Sequence, residues 1–188
     1  MKNEHELVEK ALRGDEDSFE LLLQPYRRGI LNMCYRMTGN LEEAKEITQE
    51  AMIKVFRYLS KFKKEKSFKR WVYRITLNSA YDYLRKRKKH EDAIESQKNS
   101  AAEVSPGPEK NFLQKELRAR IEACLSSFSP KEKAVFLLRD AEGFSIKEAS
   151  KILGCSSASV RTHLCRARQK IRLNFEKVYP GYRTEVKG

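Results

Sequence analysis

The chain has 188 residues, 40 % of them hydrophobic and 35 % charged, with 39 Lys and Arg against 26 Asp and Glu for a net charge of +13. No apolar run approaches the roughly 18 residues a membrane span needs, and Lys2-Asn3-Glu4-His5-Glu6 opens the chain without the apolar core of a signal peptide. Membrane insertion is therefore not expected, a cytoplasmic location is, and the positive charge points to a polyanionic partner.

Strand signals are nearly absent, and helical stripes with recognisable caps recur along the chain. Asp17 or Ser18 starts a helix whose Phe19, Leu22, Leu23 and Tyr26 share one face. Asn40-Leu41-Glu42-Glu43 has the form of a capping box, in which Asn40 reaches the third amide and Glu43 reaches back. The helix it opens has an apolar stripe of Ala44, Ile47, Ala51 and Val55, with Glu42, Glu46, Gln49, Glu50 and Lys54 on the other side. Ser67 caps a further helix through Phe68, Trp71, Val72, Ile75 and Ser79 into Arg85-Lys86-Arg87-Lys88-Lys89, where cations suit the negative end of the helix dipole.

Residues 54–89 hold fourteen Lys or Arg against Glu65 and Asp82, which is twelve of the thirteen net charges, and eight of the 18 aromatics. Positive charge attracts phosphate without regard to sequence. Interleaved aromatic faces can also hold unstacked bases. On the Ser67-capped helix, Arg70, Arg74, Asn78, Tyr81 and Arg85 recur every three or four residues and form one stripe. Asn78 is the residue of that stripe best suited to a base edge, and the arginines suit backbone phosphate. Trp71 reads as core.

Composition changes after His90. Residues 91–110 lack aromatics, contain Pro106-Gly107-Pro108 and hold five acids against two lysines. That is the signature of a flexible acidic linker, able to span roughly 60–70 Å when extended. The expected organisation is all-α: a helical module over 1–90, the linker over 91–110, a second helical module over 111–176 and a tail over 177–188.

In the second module, Phe112, Leu113, Leu117, Ile121 and Leu125 set one stripe. Ser129-Pro130-Lys131-Glu132 and Ser145-Ile146-Lys147-Glu148 are two further capping boxes. The second opens a short helix ending at Leu153-Gly154-Cys155, and another helix starts at Ser156 or Ser157 with Val160, Leu164 and Ile171 on its apolar side. A short helix, a glycine turn and a second helix make a helix-turn-helix, whose second helix enters the major groove by its N-terminal end. Ser157, Ser159, Arg161, Thr162, Arg166 and Arg168 are its candidate DNA ligands, and no acid occurs from Ser156 to Asn174.

Four cysteines and three histidines are scattered without ligand spacing. The sequence implies no metal and no cofactor. It also has no paired carboxylates, nucleophile constellation or phosphate-binding glycine loop, so an enzyme is not expected.

In this order the parts resemble the two-domain bacterial sigma factors of the extracytoplasmic-function group. The carrying residues are Tyr35-Arg36-Met37-Thr38-Gly39-Asn40, Ala44-Lys45-Glu46-Ile47-Thr48-Gln49-Glu50, Phe68-Lys69-Arg70-Trp71-Val72-Tyr73-Arg74-Ile75 leading to Asn78, the Arg85–Lys89 run, and Ser159-Val160-Arg161-Thr162 through Arg166-Ala167-Arg168. The resemblance implies that core RNA polymerase and promoter DNA, duplex and single-stranded, are the partners, and that an anti-sigma factor holds the protein inactive. Glu46, Gln49, Glu50 and Lys54 would face the polymerase. The loop with Lys63, Lys64 and Ser67 would receive a flipped base of the −10 element, with Phe62 or Phe68 as stacking surface. The second module would read the −35 element, and the acidic linker would thread channels otherwise filled by nucleic acid.

The sequence departs from the family pattern in two places. Glu46 stands where Asp is common, and Ser156-Ser157-Ala158 replaces a frequent proline–glycine opening, which leaves the approach angle of the recognition helix open. Two rivals each explain half the chain. A helix-turn-helix regulator would use 111–176 alone, and a sequence-tolerant single-strand binder would use 54–89 alone.

Overall fold

The computed structural model describes residues 2–63, 67–95 and 120–178, which are mostly helical with no strand among them. The chain divides into two compact units, Met1–Ser105 and Pro106–Gly188.

Unit 1 contains α1 (Lys2–Leu12), α2 (Glu16–Thr38), α3 (Leu41–Tyr58), a 3-10 turn (Leu59–Lys61) and α4 (Phe68–Glu95). Helix α1 has no counterpart in the sequence reading. Its apolar stripe is short, with Val8 and Ala11 buried, and Tyr26 of α2 ties it down by donating to Glu4 across 2.9 Å. Burial, and then this bond, push the Tyr26 phenol up to about 12. Helix α2 begins earlier than expected because Asp15 is the cap, accepting from both the amide and the hydroxyl of Ser18. Gly39, at φ 79°, ends it in the left-handed conformation that glycine adopts without steric cost.

Asn40 accepts from the amides of Glu42 and Glu43 as expected. Glu43 forms an ion pair with Arg87 of α4 at 2.8 Å, so the carboxylate expected to reach back to the cap ties α3 to α4. All four apolar stripe residues of α3 are buried. Helix α4 does not end in its basic run; it continues to Glu95. Arg87 supports that extension through Glu91, one turn on at 3.4 Å, and the last turn has no basic residue. Of the expected linker, 91–95 is thus helical and 96–110 lies outside the described residues, as does the tail from 179.

Unit 2 contains α5 (helical residues 120–126), α6 (Pro130–Phe136), a π-helical turn (Leu137–Ala141), α7 (Ile146–Leu153) and α8 (Ser157–Val178). Both capping boxes form completely, Ser129 with Glu132 and Ser145 with Glu148. Gly154, at φ 64°, makes the turn between α7 and α8, and Ser156 caps α8 through the Ser159 amide at 3.1 Å. Leu137, Leu138, Ala149, Ile152, Val160 and Leu164 are buried, which seats α8 against its neighbours.

Candidate nucleic-acid and protein interfaces

Helix α3 offers an outward face built on its buried stripe. Glu46 and Gln49 are exposed. Glu50 and Lys54 form an ion pair at 2.7 Å, and Lys54 also donates to Ser79 of α4 at 3.0 Å. Lys54, expected on the partner face, therefore bridges α3 and α4. Ile53 and Phe56, which lie in the Ala44–Phe56 stretch that the resemblance assigns to the polymerase but were not singled out within it, remain 49 % and 54 % exposed. They fall four and seven residues along from Gln49, so Glu46, Gln49, Ile53 and Phe56 share one helix face. The signal was present: two large apolar residues off the core stripe, in register with exposed polar ones. Phe56 is steadied by Phe19, whose ring meets it edge-on at 5.0 Å.

On α4, Arg74, Asn78 and Arg85 are exposed, and Arg70 and Tyr81 are half-buried. Arg85 pairs with Asp82 at 2.7 Å. Ser67 accepts from the Arg70 amide at 3.3 Å, so it acts as the cap of the helix. Lys63 is exposed and Lys64 lies outside the described residues.

The two phenylalanines offered as stacking surfaces are core. Phe68 is 0 % and Phe62 8 % exposed, and their rings meet edge-on at 5.3 Å. Tyr26 lies 5.9 Å from Phe68 on the other side. An aromatic in that position gains more from burial than from an open face, and it has no face to offer a base. Trp71 packs on Phe62 and Phe68 at 5.2 and 5.7 Å but stays half-exposed. Trp71, Arg74, Asn78 and Tyr81 follow at three- and four-residue steps, which puts the indole at the N-terminal end of the polar stripe.

In unit 2, Arg161, Thr162 and Arg166 are exposed, and Ser157 and Ser159 are half-buried near the start of α8. Thr162 bonds back to the Ala158 carbonyl at 3.1 Å. Arg168 behaves differently from the other expected DNA ligands. Its Nη2 and Nε donate to the two carboxylate oxygens of Asp140 in the π turn at 2.7 and 3.3 Å.

The four cysteines are free thiols, and burial pushes the Cys34 thiol up to about 11. Among the described residues no group of His, Cys, Asp and Glu is placed to hold a metal ion, and no helix is long and apolar enough to cross a membrane.

The families Sigma-70 region 2 and Sigma-70, region 4 match residues 22–90 and 118–171. The chain is 30 % identical over 178 residues to the RNA polymerase sigma-H factor of Pseudomonas aeruginosa, covering 90 % of this chain and 92 % of that protein. It is 31 % identical over 173 residues to the ECF RNA polymerase sigma-E factor of Escherichia coli, covering 88 % and 90 %. The chain belongs to the extracytoplasmic-function sigma factors. This sigma factor therefore acts in transcription initiation with RNA polymerase.

Its fold is shared with CnrH, solved in complex with the cytosolic domain of CnrY, at a TM-score of 0.71 and 20 % identity over 93 % of this chain and 98 % of that one. It is also shared with the sigma factor RpoE of Bartonella quintana, solved with the anti-sigma factor NepR, at 0.70 and 19 % over 84 % and 96 %. Unit 1 carries the region 2 match, with α3 and most of α4 inside it. Unit 2 carries the region 4 match, with the helix-turn-helix inside it.

Proposed function

We propose that this sigma factor divides promoter recognition between its units, unit 2 docking on duplex at the −35 element and unit 1 capturing bases of the −10 element as they leave the stack. The carrying observation is the α4 stripe. Arg74 and Asn78 stand exposed on a helix whose opposite side is fully buried, so a cation and an amide are presented from a rigid base. Trp71 and Tyr81 supply the aromatic faces that Phe62 and Phe68 do not. Arg70, Arg85, Lys63, Lys64 and Ser67 complete the single-strand side. Captured bases offset the cost of unpairing, a few kcal/mol each.

The face of α3 is the polymerase surface in this reading. Glu46, Gln49, Ile53 and Phe56 meet core enzyme, and Glu50 and Lys54 hold the neighbouring rim. Unit 2 enters the major groove through Ser157, Ser159, Arg161, Thr162 and Arg166. The boundaries 1–90, 91–110 and 111–176 follow the same division, with the acidic segment passing through polymerase channels between the two DNA contacts. Bond-making chemistry belongs to the polymerase, and the site of action is the cytoplasm. The RpoE relative's complex with NepR supports an anti-sigma partner here too.

The test is transcription from a pool of randomised promoters by core polymerase, with and without the protein. Start sites that appear only with it and share upstream −10 and −35 elements are expected. Retained DNA binding without new start sites would contradict the reading.

A further inference from the structure

Helix α8 is gripped on both sides of its buried stripe by ion pairs to the element before the helix-turn-helix. On one side, Arg168 meets Asp140 through two hydrogen bonds. On the other, Lys170 donates to Glu132 at 2.7 Å and to the Ser127 carbonyl at 2.8 Å. At 100° per residue, Arg168 and Lys170 project about 200° apart around the helix. The buried Leu164 and Ala167 lie in the arc between them, and Arg161, Thr162 and Arg166 lie outside it.

Both anchors are built. Asp140 stands in the π turn, a local widening of the helix that re-aims a side chain. Its carboxylate is 26 % exposed. Glu132 is buried, with 7 % of its side chain exposed, and it also accepts from the Ser129 amide in the capping box. Burial opposes its charge, but Lys170 and the Ser129 amide outweigh that and hold the carboxyl below its ordinary value.

We infer that Asp140–Arg168 and Glu132–Lys170 are paired struts that fix the rotation of the recognition helix about its own axis, and so decide which bases its outward side chains read. Arg168 is then a positioning residue and not a DNA ligand. On a helix 10–12 Å across, a rotation of about 20° moves a side-chain tip by roughly 2 Å, more than a hydrogen bond to a base edge tolerates. The struts also replace what the helix opening lacks, since Ser156-Ser157-Ala158 has no proline to stiffen the approach. The Asp140–Arg168 pair, with its arginine side chain more than half exposed, adds little to stability, so its effect falls on selectivity. The inference rests on the −35 reading of unit 2.

The test is a selection from promoters with a randomised −35 element and a fixed −10 element, using full-length protein with core polymerase. Asp140→Asn and Arg168→Met are each expected to lower the preference for the best −35 sequence over its single-base neighbours about tenfold, within the range one base pair contributes. The double variant should be no worse than either alone, and the exchange Asp140→Arg with Arg168→Asp should restore much of the preference. A structural defect alone would lower activity on every promoter equally. If Arg168→Met loses preference while Asp140→Asn keeps it, Arg168 touches DNA directly and the strut is overturned. If neither variant changes the preference while Arg161→Ala abolishes it, the strut is overturned and the −35 reading survives. If wild-type protein shows no −35 preference, that reading falls and the inference with it.

Discussion

Helix α4 is set in unit 1 by a broad buried side running from Phe68 through Val72, Tyr73, Thr76 and Leu77 to Ala80. Helix α8 is set in unit 2 by a narrow stripe, Val160, Leu164 and Ala167, and by ion pairs to Asp140 and Glu132. Both helices carry an outward cationic face, and the difference lies in what fixes its direction. Dense burial leaves α4 little freedom to turn, which suits the proposed capture of single-stranded bases, whose own geometry is loose. Polar struts leave α8 with a setting that single substitutions can change without unfolding the unit.

The sharpest way to break this contrast is to cut into the α4 core. Phe68→Ala should destabilise the protein by about 3–5 kcal/mol, measured by denaturant unfolding. A stable variant with weakened DNA binding would instead return Phe68 to the role of a stacking surface. Next in size, Phe56→Asp should leave folding intact and reduce affinity for core polymerase roughly thirtyfold, the equivalent of about 2 kcal/mol at an interface hot spot. Binding of labelled core enzyme checks it, and unchanged affinity would remove the apolar half of the α3 face. Asn78→Ala should lower open-complex yield about tenfold, as expected for one lost base contact, with polymerase binding unchanged. Potassium permanganate reactivity of melted thymines reads that outcome.

The smallest effects come from pH and separate the units by sign. The Tyr26 phenol is raised from 10.0 to about 12. Burial of the neutral phenol, and then its bond to Glu4, therefore support unit 1 fully below pH 10, and that support is lost as pH rises from 10 to 12. Glu132 is lowered from 4.5. Its contribution to unit 2 is present above pH 4.5 and is lost as pH falls below that through the folded value. Tyr26→Phe should abolish the first dependence and Glu132→Gln the second, with unfolding followed as a function of pH.

Local chemistry was legible in the sequence, and long-range pairing was not. The boxes at Ser129 and Ser145, the glycine turn at Gly154 and the α3 stripe are decided within four residues of chain, and each formed as read. Family membership was legible in the order of motifs. The partners of Glu43 and Arg168 stand 44 and 28 residues away, where no local spacing reveals them. Aromatic content announced a surface for bases but not which rings face outward, because Phe62 and Phe68 pack on each other. Helix α1 was missed since two buried residues make too short a stripe to recognise.

Binding of holoenzyme to split DNA probes tests the proposed division of labour most directly. One probe carries the −35 duplex alone, and the other carries a single-stranded −10 segment joined to downstream duplex. Asn78→Ala should weaken only the single-stranded probe, and Arg161→Ala should weaken only the duplex probe. Equal weakening of both probes by either variant would contradict the account.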